Sequence, residues 1–296
     1  MRTCVIFNPA ARGDKARLFR DQLAELSAHC ALKPTYAAGA GRTLAAEAVG
    51  EGFEVIVAAG GDGTLNEVLN GIGDHPDGFA QARLAVLPLG TVNVFAKEIN
   101  MPLNFQAAWD VIVGGRESVI DVPEAEFASG GQPLRRMFAQ MAGAGWDSRA
   151  IELVDLEQKK RIGSLAYVVA GFKALRGTLP QIVVTNGTET LTGELVLIGN
   201  GRFYGGRFNI FPEADLSDGL LEVTVFPKAS LETLARYGWS LFTSQSLETA
   251  GGARMKGGQI ILTSAAPVPF HVEGENVGRL PARFTIRRQA LRIIVP

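Results

Sequence analysis

Residues 54–72 read Glu-Val-Ile-Val-Ala-Ala-Gly-Gly-Asp-Gly-Thr-Leu-Asn-Glu-Val-Leu-Asn-Gly-Ile. An apolar run, Val55–Ala59, enters a glycine turn, passes an acid and a hydroxyl, and leaves as a helix. The helix is predicted by Leu65, Val68, Leu69 and Ile72, which fall at i, i+3, i+4 and i+7 and form one apolar stripe. Thr64 stands where an N-cap belongs, and Glu67, three residues on, completes a capping box. Glycines at 60, 61 and 63 allow close approach of a backbone to a phosphate, and the first N–H groups of a helix favour an anion. The same turn could serve only to reverse the chain. Asp62 has no structural role in this reading, and a carboxylate beside a phosphate cradle points to an intervening Mg²⁺. A nucleotide-phosphate site is therefore the leading expectation.

Working outward, strands and helices alternate over the first 120 residues. Thr3–Phe7 is an apolar strand ending in Asn8-Pro9. Residues 15–30 predict a helix with Leu18, Phe19, Leu23 and Leu26 on one face. Leu84–Leu87 is a third strand, ending in Pro88-Leu89-Gly90-Thr91, and helices near 92–99 and 104–113 follow. This rhythm predicts an α/β, doubly wound, mostly parallel sheet covered on both faces. Ligands of such sheets sit at the carboxyl ends of strands. The loops Asn8–Gly13, Gly60–Thr64 and Gly90–Asn93 all lie there.

After Asp121 the character changes. Short alternating runs at 134–142, 181–186, 193–199, 219–226, 259–263, 268–273, 282–287 and 291–295 predict a β-rich, antiparallel second domain. Helices near 148–158, 163–175 and 231–243 interrupt it. The expected organisation is a nucleotide-binding domain over 1–121, to which strand 288–296 returns, a β-rich domain over 122–287, and a cleft between them.

The 296 residues carry 29 basic and 30 acidic side chains, net charge −1, which excludes the basic field of a nucleic-acid binder. Cys4 and Cys30 read as small core residues of a reducing compartment, not a disulfide framework. The three histidines, His29, His75 and His271, lack zinc-ligand spacing with them. No secretory signal is visible, and no apolar run reaches the ~20 residues that cross a bilayer. A soluble, cytoplasmic protein is expected, with contact at the inner membrane face left open.

Five separated segments carry a resemblance. They are Asn8-Pro9-Ala-Ala-Arg-Gly13; Gly60–Gly71; Pro88-Leu-Gly-Thr-Val-Asn93; Pro212-Glu-Ala-Asp-Leu-Ser-Asp-Gly-Leu-Leu221; and Val272-Glu-Gly-Glu275. In order and over essentially the whole length, the chain resembles lipid kinases of the diacylglycerol/sphingosine kinase superfamily, of the compact bacterial type. The Gly-Gly-Asp-Gly core is shared with NAD kinases and phosphofructokinases, while the Asn-Glu-Val-x-Asn-Gly extension favours the lipid branch. The resemblance implies Mg²⁺-dependent transfer of phosphate from ATP to a lipid hydroxyl, in phospholipid metabolism. It implies a nucleotide site formed by Asn8, Pro9, Gly13, Thr35, Gly60, Gly61, Asp62, Gly63, Thr64, Asn66, Glu67, Gly90, Thr91 and Asn93. Asn8 as a turn residue before proline and Thr91 as a helix N-cap are the purely structural readings.

The family analogue also implies a supporting Mg²⁺ held by the Asp218 carboxylate and main-chain oxygens near Asp215 and Leu220. The alternative there is an Asx turn leading into the strand 220–226. The family's usual Asp-Gly-Glu is Glu273-Gly274-Glu275 here, so the expected general base is Glu273, one methylene longer. Glu275 would support nucleotide or metal. The usual Asp after Asn93 is Val94, a loss that could lower rate, change substrate or leave a weak relative. Asp147, in Gly143-Ala-Gly-Trp-Asp147, reads as a helix cap. Lys159-Lys160-Arg161 before an apolar helix could dock anionic headgroups, though such clusters are more often solvated.

The competing functions are a kinase for NAD or a sugar phosphate and a non-catalytic nucleotide or lipid binder. The acceptor stays open among diacylglycerol, sphingoid bases, phosphatidylglycerol and polyprenyl-type alcohols. The oligomeric state is not set by the sequence, a homodimer being one option.

Overall fold

The computed structural model describes residues 1–10, 14–154, 170–171, 173–175, 179–206, 208–233, 236 and 252–296. The Lys159–Arg161 cluster, Gly13, most of the helix expected at 163–175 and the greater part of that expected at 231–243 lie outside the described residues.

The amino-terminal half runs β1 (Thr3–Phe7), α1 (Asp14–Ser27), β2 (Ala31–Pro34), α2 (Ala40–Gly50), β3 (Val55–Gly60), α3 (Asp62–Asp74), α4 (Gly78–Gln81), β4 (Arg83–Pro88), α5 (Val94–Glu98) and α6 (Phe105–Gly114). Strands β2, β1, β3 and β4 lie side by side in that order, all parallel. Side chains of β1, β3 and β4 are buried on both faces, as a helix-covered parallel sheet requires. The stripe on α3 is buried as expected, Leu65, Val68, Leu69 and Ile72 packing into this core. On α1, Phe19 and Leu26 are buried, while Leu18 is exposed.

Two residues of α3 owe their identity to packing. Asn70 is fully buried and clamps the backbone of Met137, donating to its carbonyl at 2.8 Å and accepting its N–H at 2.9 Å. Gly71 lies against α2: a Cβ there would stand 2.1 Å from the Arg42 carbonyl oxygen. Gly71→Ala is expected to force the two helices apart and to cost about 1–3 kcal/mol or more, read as a lowered midpoint in urea with an unchanged slope.

The second half runs β5 (Arg116–Ser129), β6 (Gln132–Met137), β7 (Met141–Gly145), α7 (Trp146–Glu152), β8 (Ile182–Thr185), β9 (Thr190–Gly193), β10 (Leu195–Gly199), β11 (Phe203–Tyr204), β12 (Phe208–Asn209), β13 (Leu221–Phe226), β14 (Ala253–Gly257), β15 (Gln259–Ser264), β16 (Pro269–Val272), β17 (Glu275–Arg279) and β18 (Ala282–Val295). Strands β14, β13, β10, β7, β16 and β17 form an antiparallel sheet in that order. Its apolar face meets β15, β8, β18 and β5 over a second core that includes Phe138, Phe270 and Phe284.

The fold is thus mixed α/β, with a mostly parallel amino-terminal sheet and an antiparallel β-rich carboxyl-terminal part. Two strands cross the expected domain boundaries. β5 is continuous through 121/122, and the runs expected at 282–287 and 291–295 are one strand, β18. β18 pairs antiparallel with β5 and β15 and then, at Arg292 and Ile293, parallel with β4. A register shift between Arg287 and Leu291 separates the two stretches. Among the described residues no helix is long and apolar enough to cross a membrane.

Candidate active site

The carboxyl ends of β3 and β4 carry two loops that touch. The amides of Leu89 and Gly90 donate to the Gly60 carbonyl at 3.0 and 3.1 Å. A Cβ on Gly90 would sit 2.4 Å from the Gly61 Cα, so only hydrogen at 90 permits the approach. Asn93, buried at φ 53°, closes the second loop by donating to the Gly90 carbonyl at 2.7 Å. Its Oδ1 is buried without a protein partner.

Helix α3 begins at Asp62, three residues earlier than the capping-box reading places it, with Gly61 as an N-cap that offers no side chain. The amides of Gly61 to Thr64 therefore belong to the helix start, where no intrahelical acceptor exists for them. Thr64 is not the cap, and its side chain stands against Gly60. Glu67 is engaged elsewhere. Its carboxylate accepts the amides of Gly39 and Gly41 at 2.8 Å each, capping α2 from outside. Asn66 is buried and accepts from Asn70 at 2.7 Å. Thr91 is exposed and is not an N-cap, since α5 begins after Asn93. Asn8 makes the turn expected of it, its Oδ1 accepting the Ala10 amide at 2.8 Å, and Pro9 follows at the end of β1. The Thr35 amide donates to the Phe7 carbonyl at 2.8 Å, placing Thr35 at the same sheet edge.

Asp62 turns its carboxylate to the start of α5, accepting the Phe95 amide at 3.3 Å. Burial raises its pKa; the Phe95 and Val94 amides and the Lys97 charge pull the other way. Across the cleft, Glu273 and Gly274 are the two-residue turn between β16 and β17, at φ 51° and 79°. Two left-handed residues in succession make the mirror-image turn that suits the twist of a hairpin. Glu273 accepts the amides of Ala139 and Gln140 through one oxygen at 2.8 Å each, and its own amide donates to the Met141 carbonyl. The residue keeps some surface on the cleft, while protein surrounds its carboxylate. Burial pushes its pKa up to about 8, against the pull of those amides and with a further upward push from Asp62. Glu275 is exposed, and its carboxylate lies close to Gly63, 3.7 Å from where a Cβ would be.

Asp62 and Glu273 line one cavity of about 520 Å³, whose other walls include Val92, Val94, Met141, Trp146 and Ile151. Val94, where the family has an acid, extends the apolar lining. Asp147, Tyr204 and His271 also line it. The sequence reading missed Tyr204 and His271 and made Asp147 a helix cap; α7 instead begins at Trp146 with Gly145 as its N-cap, and Asp147 lies inside the first turn, its Oδ1 accepting the adjacent Ser148 amide at 2.7 Å. The one signal in the sequence was proximity, His271 standing two residues before Glu273 near the end of β16.

The loop after Phe211 lies elsewhere. Asp215 and Leu216 border a different depression with Asn100 and Ser118. Asp215 Oδ1 accepts the amide and hydroxyl of Ser217 at 2.9 and 2.7 Å, and Asp218 Oδ1 accepts the Leu220 amide at 2.8 Å. These are the bonds of Asx turns. Buried Asp121 fastens the loop by accepting the Gly219 amide at 2.6 Å. Among the described residues no group of three or more His, Cys, Asp or Glu is arranged to hold a metal alone.

Residues 2–125 match the family model described as the diacylglycerol kinase catalytic domain, and residues 140–295 match that of the YegS C-terminal NAD kinase beta sandwich-like domain. The chain is 28% identical to a diacylglycerol kinase of Staphylococcus saprophyticus, over all of this chain and 95% of that protein. It is 27% identical to a diacylglycerol kinase of Staphylococcus carnosus, again over 100% and 95%. The crystal structure of a diacylglycerol kinase from Bacillus anthracis superimposes with a TM-score of 0.77 at 22% identity, covering 100% of this chain and 97% of that one.

Proposed function

The chain belongs to the diacylglycerol/sphingosine kinase superfamily, and from that premise we propose that it transfers the γ-phosphate of Mg²⁺-ATP to the hydroxyl of a diacylglycerol-like lipid. One observation carries the reading: a largely apolar cavity reaches Asp62, the first residue of the glycine-flanked helix α3, with Glu273 in the same wall. A soluble acceptor such as NAD would find few polar partners along Val92, Val94, Met141, Trp146 and Ile151, whereas an acyl chain gains by covering them.

The phosphates of ATP would lie against Gly60–Gly63 and Gly90, where unblocked amides and a helix start favour an anion. A carboxylate oxygen beside such a cradle is a donor suited to a hard cation. Bound Mg²⁺ supplies charge neutralisation at the phosphates, and Asp62 is the side chain that would hold it. Glu273 would take the proton from the acceptor hydroxyl, and its ionised form is the competent one. Asn93 Oδ1, buried and unpartnered, is free to accept from the ligand. The Asp215–Leu220 loop would carry its supporting cation through the Asp218 carboxylate and the carbonyls near Asp215 and Leu220.

The test is transfer of labelled phosphate from Mg²⁺-ATP to a panel of lipids in mixed micelles, with NAD as a soluble acceptor. Phosphorylation of a glycerolipid, abolished in Asp62→Asn, is the expected result. Labelling of NAD with no lipid product would overturn the acceptor, and ATP binding without transfer to any acceptor would leave a binding protein.

A further inference from the structure

Three polar side chains from separate parts of the chain meet behind the Glu273 turn. Asp147 from α7, Tyr204 from β11 and His271 from β16 converge on one oxygen. The Tyr204 hydroxyl donates to Asp147 Oδ2 at 2.5 Å, and His271 Nε2 stands 2.8 Å from both that oxygen and the Tyr204 hydroxyl. His271 is 1% exposed. Gly143 leaves room for them: a Cβ there would be 2.6 Å from His271 Nε2 and 2.7 Å from Asp147 Oδ2.

The far side of the imidazole decides what this cluster does. His271 Nδ1 accepts the amide of Gly274 at 3.3 Å. An N–H donor at Nδ1 requires a lone pair there, so the ring proton resides on Nε2. Nε2–H then donates into Asp147 Oδ2 and the Tyr204 oxygen, which hold that tautomer in place. The chain of bonds runs from Asp147 through His271 to the backbone at Gly274, next to Glu273.

That backbone needs support. A non-glycine residue at positive φ is disfavoured, and Asn and Asp tolerate it better than longer side chains. Glu273 occupies the first position of the turn. We propose that Asp147, Tyr204 and His271 are positioning residues, which fix the Glu273–Gly274 turn and so aim the Glu273 carboxylate at the acceptor hydroxyl. The proposal rests on Glu273 as base for its catalytic consequence, but its structural half can be read without turnover.

Two substitutions of one residue separate the halves of the imidazole. His271→Asn keeps an acceptor near the Nδ1 position, and His271→Gln keeps a donor near Nε2 while removing that acceptor. In His271→Gln the Gly274 amide, followed by NMR hydrogen exchange, should exchange at least about tenfold faster than in the wild type. In the same variant kcat should fall about 10- to 100-fold with KM for ATP within about twofold. His271→Asn should recover most of both, and Tyr204→Phe, which removes the hydroxyl and its two hydrogen bonds but leaves the imidazole in place, should fall between. Unchanged exchange at Gly274 in a folded His271→Gln protein would overturn the proposal. So would equal losses in the Asn and Gln variants. Should both His271 variants unfold, Tyr204→Phe decides by the same exchange measurement, wild-type protection at Gly274 overturning it. An active Glu273→Gln enzyme, with Gly274 exchange still dependent on His271, would remove the base and leave the positioning role.

Discussion

Glu273→Gln is expected to lower kcat by about 10²–10⁴, the range of a lost general base, while ATP binds with unchanged affinity. Glutamine retains the oxygen that accepts the Ala139 and Gln140 amides, so the turn should keep its shape. The same substitution has an opposite signature in stability. The folded-state pKa is raised from 4.5 to about 8. Below pH 4.5 the carboxyl is protonated in the folded and unfolded chain alike, and its full contribution is present. Between pH 4.5 and about 8 the unfolded chain ionises while the folded one resists, so wild-type stability declines and then levels. At ~1.36 kcal/mol per pKa unit, the decline amounts to a few kcal/mol. The thermal midpoint of Glu273→Gln should therefore gain on the wild type as pH rises from about 5 to about 8. Wild-type turnover should climb over the upper part of that window as the ionised base is populated. A midpoint difference that stays flat with pH, together with full turnover in the variant, would remove Glu273 from the mechanism.

Gly90→Ala should be nearly as damaging, through sterics alone. The added Cβ would meet the Gly61 Cα at 2.4 Å, the Asn93 Oδ1 at 2.7 Å and the Gly61 nitrogen at 3.1 Å. Two of these are backbone atoms of the facing loop, which cannot swing aside as a side-chain end can. Relief requires the loops to part by about 1 Å, a displacement that costs on the order of 10²-fold when it misplaces reacting groups. A fall of that size in kcat/KM for ATP is expected, with a stability loss of about 1–3 kcal/mol. Gly114→Ala, whose Cβ meets nothing within 4 Å, is the control and should match the wild type. Wild-type KM for ATP in Gly90→Ala would show that the loops do not hold the nucleotide.

The parts of this molecule written in local pattern could be read from the sequence. The α3 stripe, the strands at 3–7, 54–59 and 84–87 and the alternating runs of the second half all rest on periodicity over neighbouring residues. What escaped was set by distant partners. Glu67 fits a capping box by spacing, yet its carboxylate is taken by Gly39 and Gly41, because α2 begins on a left-handed glycine with no side-chain cap of its own. β2 is a four-residue, half-buried edge strand with no strong alternation to mark it. The boundary placed at Asp121 falls inside β5, because Pro123 and the acids at 124 and 126 interrupt the apolar run without ending the strand. The glycine loops of the site were visible as motifs. The meeting of Asp147, Tyr204 and His271 was not, since 124 residues separate the first from the last and no spacing rule links them.

β18 gives the molecule an unusual mechanical character. One ribbon of 14 residues borders the parallel strands at one end and the antiparallel layer at the other. No swivel on a slack tether is available where that ribbon passes. The two stretches are instead parts of one sheet, interrupted by the register shift near Gln289, where the buried Asp121 carboxylate accepts the Gln289 amide at 2.6 Å. A polypeptide ending before residue 282 would lose the edge partner of β4 together with that of β15, so both halves would fail at once, and neither can be expected to survive as a separate piece.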